Sequence, residues 1–316
     1  MLDSVVMPVL MVALGFVSLS KGATWLVDGA RALARRIGVS ELLIGLTVVA
    51  FGTSLPEMTV NLFSAAQGSP ELALGNVLGS NVCNVLLILG VCALFRPVVF
   101  PRSVRRFELP IAAGVAPFLA LLVLLSADSR VDALGGAALL LAFALFLAGS
   151  FRRGVPEEGS AERGMRAVKA IFFVAIGLVC LVAGGKVIVS GASSLARLAG
   201  LGEGAIGMTI VAVGTSLPEL AASLTAVRRG SDALAVGNVV GSNVFNVLMV
   251  LGITALVEPV PVGEREWIQV GMACGAGLLP LAAIYLKPAR LRGGLGKLSG
   301  LLFVACYALV VLFSLR

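Results

Sequence analysis

Long apolar runs separated by short polar or basic connections recur along the whole chain, at the spacing of membrane-crossing helices. A helix needs about 20 apolar residues to cross ~30 Å of hydrocarbon. The pattern predicts spans at 5–20, 40–66, 71–95, 107–127, 131–150, 168–190, 201–227, 233–257, 267–286 and 298–315. The strict alternation of a membrane barrel is absent. Composition agrees: 59% of the 316 residues are hydrophobic and 13% charged, with a mean hydropathy of +1.04. These values exclude an ordinary soluble domain. The expected fold is an all-α polytopic membrane protein of about ten transmembrane helices.

The connector FRRGVPEEGSAERGMRA, 151–167, divides the chain into a first half (1–150) and a second (168–316). It is too short to hold a folded domain. The halves are copies. GTSLPE opens at Gly52 and again at Gly214, and GSNVCN at Gly79 returns as GSNVFN at Gly241, a constant offset of 162. About 35 of 62 aligned positions between Gly29 and Gly90 match the second copy. Five crossings per half place the second copy upside down relative to the first, so the expected architecture is two inverted five-helix repeats. Loop charge follows: Arg31 and Arg36 become Ser193 and Leu198. With the N-terminus outside, 19 of the 24 Lys and Arg fall in cytoplasmic connections, leaving Arg130, Lys186, Arg197, Arg265 and Arg316 on the other face. That asymmetry predicts both termini outside a plasma (inner) membrane. The net charge of +7 is a property of these loops and gives no reason to expect nucleic acid.

Each copy carries one glutamate, Glu57 or Glu219, inside an apolar span. A carboxylate at that depth costs about 2.5–3.5 kcal/mol on insertion scales. Pro56 and Pro218 supply no amide proton and clash with the carbonyls of Gly52 and Gly214, so both spans are expected to break at GTSLPE. Broken backbone at membrane depth is tolerated where it lines a cavity or binds something. Thr53, Ser54 and Glu57, with Thr215, Ser216 and Glu219, form all-oxygen sets suited to hard cations such as Ca²⁺ or Na⁺. Taken alone, a Gly-Thr-Ser-Leu-Pro segment reads as a kinked helix whose hydroxyls bond back to its own backbone. The acid, and its repetition in an inverted half, favour a cation site. In the following helices Asn76, Ser80 and Asn84, and likewise Asn238, Ser242 and Asn246, share one face. Asn76, Asn81, Asn238 and Asn243 read as interhelical hydrogen-bonding residues, and Gly75/Gly79 and Gly237/Gly241 as close-approach pairs.

With these motifs the chain resembles the sodium/calcium exchanger branch of the cation/calcium antiporter superfamily, in its compact prokaryotic form. The resemblance covers essentially the whole chain, and its doubled GTSLPE and GSN pattern is highly specific. It implies that Glu57 and Glu219 are central carboxylates shared by calcium and sodium sites. Thr53, Ser54, Thr215 and Ser216 would add hydroxyl or carbonyl oxygens, and Ala50 and Ala212 backbone carbonyls. Ser80 and Ser242 would complete the sodium sites, with Asn84 and Asn246 alongside, and the first and sixth helices would slide across this core. One position departs from the pattern: many exchangers carry aspartate where this chain has Asn246, which argues against K⁺ co-transport.

The function expected is secondary antiport of Na⁺ for Ca²⁺ by a non-enzymatic carrier that needs no cofactor and no obligatory protein partner beyond the lipid bilayer. Ca²⁺/H⁺ exchange through the same acids is the alternative, and a passive channel fits less well. Two carboxylates give the site a charge near −2, which one Ca²⁺ or two Na⁺ neutralise. Remaining acids read as solvated or capping: Glu41 and Glu203 at span entrances, Glu71, Asp128, Asp132 and Asp232 at turns, and Glu157, Glu158 and Glu162 in the connector. Five cysteines without paired spacing read as packing residues, and histidine is absent. Asp3 and the lack of a small-residue cleavage site argue against a cleaved leader.

Overall fold

The structure, a computed structural model, describes residues 2–153, 165–200, 202, 210, 212–286 and 293–314. Glu157, Glu158, Glu162 and Glu203 lie outside the described residues, as do Arg163, Lys287, Arg290, Arg292, Arg316 and most of the connector.

The helices follow the apolar runs. They are α1 (Leu2–Ile37), α2 (Glu41–Thr53), α3 (Leu55–Ala66), α4 (Pro70–Phe95), α5 (Arg102–Leu125) and α6 (Ala133–Arg153) in the first half. The second half holds α7 (Ala167–Leu198), α8 (Ala212–Thr215), α9 (Leu217–Arg228), α10 (Asp232–Val257), α11 (Glu264–Tyr285) and α12 (Lys297–Ser314). Among the described residues, seven helices are long and apolar enough to cross a membrane, or eight when α2 and α3 count as one bent span. The tally falls short of ten because α12 is slightly too short and the span expected at 201–227 is described mainly from Ala212 onward.

Two span boundaries differ from expectation. The runs predicted at 5–20 and 168–190 belong to helices of 36 and 32 residues. Lys21 interrupts the hydropathy but not the helix, since lysine is a good helix former, while the second helix, whose expected span already includes Lys186, continues through the small and polar residues 190–194. At about 1.5 Å per residue both helices exceed the hydrocarbon thickness and must tilt or project from it.

These two helices pack antiparallel through glycines spaced seven apart. Gly15, Gly22 and Gly29 of α1 face Gly184, Gly177 and the backbone at Ala170 of α7, and Gly191 faces Pro8. A Cβ on Gly22 would lie 2.9 Å from the Gly177 carbonyl oxygen, and one on Gly184 would lie 2.9 Å from that of Gly15. The Ser18 hydroxyl donates to the Cys180 carbonyl at 2.8 Å across the same seam. Small residues permit this approach where lipid tails give no hydrophobic force between helices.

The most enclosed spans are α4 and α10, whereas α1, α6 and α11 turn wide apolar faces outward, including Leu14, Leu134 and Leu278. On α10, Gly237 and Gly241 lie directly against α2, where added Cβ atoms would meet Leu42 O at 2.6 Å and Ala50 Cβ at 2.8 Å. Among the described residues, π-helical stretches interrupt the α-helical ladder at Gly45–Val49, Cys83–Ile88 and Phe245–Val250. Such widened turns occur often at functional sites. Here one abuts Ala50 and the other two contain Asn84 and Asn246.

Short antiparallel pairs tie the connections together. Strand β1 (Val98–Val99) pairs with β4 (Gly294–Leu295), and β2 (Arg130–Val131) with β3 (Val260–Pro261).

Candidate cation site

Both GTSLPE segments adopt one geometry. Ser54 lies at φ −87°, ψ 6° between α2 and α3, and Ser216 at φ −90°, ψ 3° between α8 and α9. Pro56 and Pro218 fall in the first turn of the downstream helix, where an amide proton has no intrahelical acceptor to lose. The axis turns by 48° between α2 and α3. Glu57 and Glu219 therefore sit in the first turns of α3 and α9, the ends whose dipoles favour negative charge.

The two halves meet at these acids. The Ser54 hydroxyl donates to Glu219 Oε1 at 3.1 Å, a contact from one half to the carboxylate of the other. Glu57 and Glu219 are both 1% exposed and close enough for each to feel the other's charge. Thr53 Oγ1 lies 3.1 Å from the Val49 carbonyl and 3.2 Å from Asn238 Oδ1. Asn238 Nδ2 in turn donates to Ser223 at 2.9 Å, and its counterpart Asn76 donates to Asn61 Oδ1 at 2.8 Å. Beneath them, Asn84 Nδ2 donates to Asn243 Oδ1 at 3.0 Å and Asn246 Nδ2 to Asn81 Oδ1 at 3.3 Å.

What these bonds leave over is more telling than what they satisfy. Glu57 Oε2, Glu219 Oε2, Asn84 Oδ1, Asn246 Oδ1, Ser216 Oγ and Ser242 Oγ are all buried with no hydrogen-bond partner. Buried polar atoms are normally paired, and each orphan costs about 1–3 kcal/mol. All six are oxygens able to ligate a hard cation. Ser80, Thr53 and Ala50 are buried as well, and Thr215 is half-buried. Ala212 begins α8. Among the described residues no group of three His, Cys, Asp or Glu gathers to hold a metal, so the centre is two carboxylates among neutral oxygens.

A cavity of about 590 Å³ opens beside this centre, between α4, α11 and α12. Glu71, Glu266 and Arg265 stand among its lining residues, together with Ser80, Cys83 and Tyr307. A smaller space, about 150 Å³, lies where α2, α5, α6 and α10 converge, lined by Ser40, Leu46, Glu108 and Ser150. Glu71 begins α4 and Ser40 caps α2, so the two spaces belong to opposite ends of the bundle.

Several acids are less solvated than expected. Glu41 is 8% exposed and bonds Arg31 at 3.0 Å. Asp232 accepts from Arg96 at 2.7 Å and from the Val99 amide at 3.0 Å. Asp28, on α1, pairs with Arg229. Glu108, 2% exposed beside Ser150, gave no sequence signal because it lies at the edge of an apolar run. Cys83 is buried and lines the larger cavity. The seven-residue glycine spacing on α1 and α7 is present in the sequence, outside the repeated GTSLPE and GSN motifs.

Against known proteins, the chain matches the family described as sodium/calcium exchanger protein twice, over residues 7–152 and 169–316. It is 36% identical to the putative antiporter CaxA of Alkalimonas amylolytica, over 89% of this chain and 90% of that one. It is 31% identical to sodium/calcium exchanger MaX1 of Methanosarcina acetivorans, over 81% and 85% of the two chains. Its fold matches the solved sodium-calcium exchanger NCX_Mj with a TM-score of 0.83 and 29% identity, covering 99% of this chain and 100% of the other.

Proposed function

The chain belongs to the sodium/calcium exchanger protein family, and from that premise we propose that it is a secondary antiporter driving Ca²⁺ against Na⁺ across the plasma membrane by alternating access. Glu57 and Glu219 are the shared carboxylates. Thr53, Ser54, Thr215, Ser216, Ser80, Ser242, Asn84 and Asn246 supply neutral oxygens, with the Ala50 and Ala212 carbonyls. The observation that carries this reading is that six oxygens of the two repeat motifs, one on each acid among them, are buried without a hydrogen-bond partner. Buried oxygens left without a hydrogen-bond partner are what a cation satisfies and a closed structural polar network does not leave.

Exchange then follows from charge. An empty pair of carboxylates in a low-dielectric centre resists crossing to the other face, and neutralisation by Ca²⁺ or by Na⁺ removes that resistance. Both ions use the same acids, so one must leave before the other binds.

Three features support the division into inverted halves, 1–150 and 168–316 around the connector. The family matches each half separately. Val98 and Val260, 162 residues apart, each begin a strand that pairs with the other half. The Asn84–Asn243 and Asn246–Asn81 bonds exchange when the halves are exchanged. Inverted halves place a site at their interface and give two related arrangements, one open to each side. The loop-charge asymmetry sets both termini outside, which makes the larger cavity the external vestibule.

The test is ⁴⁵Ca²⁺ uptake into proteoliposomes under an outward Na⁺ gradient, an outward H⁺ gradient, or neither. Sodium-driven uptake abolished in Glu57→Gln and Glu219→Gln is the expected result. Uptake driven by protons alone would keep the site and replace the coupling ion. Uptake surviving either substitution would remove the carboxylates from the mechanism.

A further inference from the structure

The long helices α1 and α7 lie unequally against the two halves. Both pack along α9, α7 through Gly185 beside Pro218, and neither packs closely on α3, the counterpart of α9. Burial follows the same division. Ala222 of α9 is 2% exposed, whereas Val60, its counterpart on α3, is 45% exposed. The larger cavity opens at the end where Glu71 begins α4. At the opposite end, Asp28 of α1 pairs with Arg229, the residue that follows α9. Both side chains of this pair are partly exposed. The positions 162 residues away are Ser190 on α7 and Gln67 after α3, neutral side chains that cannot form an ion pair.

We propose that Asp28 and Arg229 are positioning residues for exchange: their ion pair latches α1 onto α9 and is released each time the carrier passes to its other arrangement. This rests on the alternating-access reading above. When two inverted halves exchange environments, α3 acquires the packing that α9 has here, and α9 becomes as open as α3. The end of α1 then leaves α9, and Asp28 leaves Arg229. In that second arrangement Ser190 and Gln67 take the equivalent places, and no charge replaces the lost pair. The latch therefore weights one of two otherwise related arrangements, the one open at the larger cavity. A partly exposed pair supplies a weight of a few-fold, enough to bias the carrier without trapping it.

The intact chain, in detergent, carries Ala222→Cys or Val60→Cys on a Cys83→Ser background, and its labelling by N-ethylmaleimide is timed against that background alone. Adding Asp28→Asn or Arg229→Gln should speed labelling of Ala222→Cys about two- to fivefold, with Val60→Cys no faster. The double variant should be no faster than either single one, because the same pair is lost once. Asp28→Glu and Arg229→Lys should keep the slow rate, as should Asp128→Asn, which removes an exposed pair with Arg130 elsewhere. In sealed vesicles of each orientation, the half-saturating Ca²⁺ at the face away from the cavity should fall by the same factor in the latch variants. Apparent affinity scales with the fraction of carrier presenting that face. At the cavity face it should not fall. Unchanged labelling of Ala222→Cys, equal acceleration at both positions, or additive effects in the double variant would overturn the latch. Labelling needs no transport, so a wild-type chain without Na⁺-driven Ca²⁺ uptake would count against the antiport reading separately.

Discussion

At the scale of single residues, a buried oxygen with no donor costs free energy in the resting protein and recovers it when a cation arrives. Glu57 and Glu219 therefore predict an unusual pair of results. Ca²⁺ at about a hundred times its Kd should stabilise the protein by about 2.7 kcal/mol, seen as a rise in Tm of detergent-solubilised protein. Glu57→Gln or Glu219→Gln should abolish that rise, while the ion-free variants melt no lower than wild type, because one of two like charges has gone. A large drop in ion-free Tm would instead identify a structural partner for the acid. Ser54→Ala tests the contact between halves. It removes both a hydroxyl ligand and the 3.1 Å bond to Glu219, worth about 1 kcal/mol, so apparent Ca²⁺ affinity in the flux assay should fall roughly fivefold. The acids themselves were legible in the sequence because a carboxylate in a repeated apolar span has few other uses. Cys83 was not: a thiol is at home in any apolar run, and only the cavity beside it distinguishes it from Cys92.

Among the elements, the seam between α1 and α7 is the one most exposed to a single change. Gly22 and Gly184 lie against backbone, which cannot rotate aside as a side chain can. Gly22→Leu or Gly184→Leu should separate the helices and cost about 1–3 kcal/mol as overpacking, read as a lowered Tm and slower flux. Gly38→Ala makes a poor comparison because its φ of +73° is itself strained for alanine. Ala23→Gly, which removes a buried methyl beside the seam without adding bulk, is the better control. The connections differ among themselves as well. Arg31→Gln removes a partly exposed pair with Glu41 and should cost no more than about 1 kcal/mol, less at high salt. Asp232→Asn leaves Arg96 without its counter-ion and weakens acceptance from the Val99 amide, so it should lower Tm further. The apolar spans and the bend between α2 and α3 follow from hydropathy and proline chemistry, whereas the ten spans expected exceed the seven or eight found among the described residues. Helix ends do not follow from either: Lys21 stops a hydrophobic run without stopping α1, and α7 continues through the small and polar residues 190–194. The extents of α1 and α7 were accordingly underestimated, and the ion pairs of Glu41 and Asp232 depend on side chains brought together only by the fold.

For the molecule as a whole, the two halves share a pattern but hold unequal positions. Ser80 lines the larger cavity at 6% exposure, while its counterpart Ser242 is 0% exposed and touches neither cavity. A carrier with two related arrangements should exchange these environments during turnover. On a Cys83→Ser background, Ser80→Cys should react with a membrane-impermeant thiol reagent applied to the external face, whereas Ser242→Cys should resist it from that side. Under cycling conditions Ser242→Cys should become reactive from the cytoplasmic face, at a rate that rises when Na⁺ and Ca²⁺ are present on opposite sides. Labelling of both positions from one face at all times would describe a pore open along its length, and would count against a carrier. Reversal of the faces would leave alternating access intact and overturn the outward placement of the termini. The experiment thus separates mechanism from orientation, the two properties that sequence halves and loop charge address independently: the repeat argues for two states, and the arginines argue for which way they face.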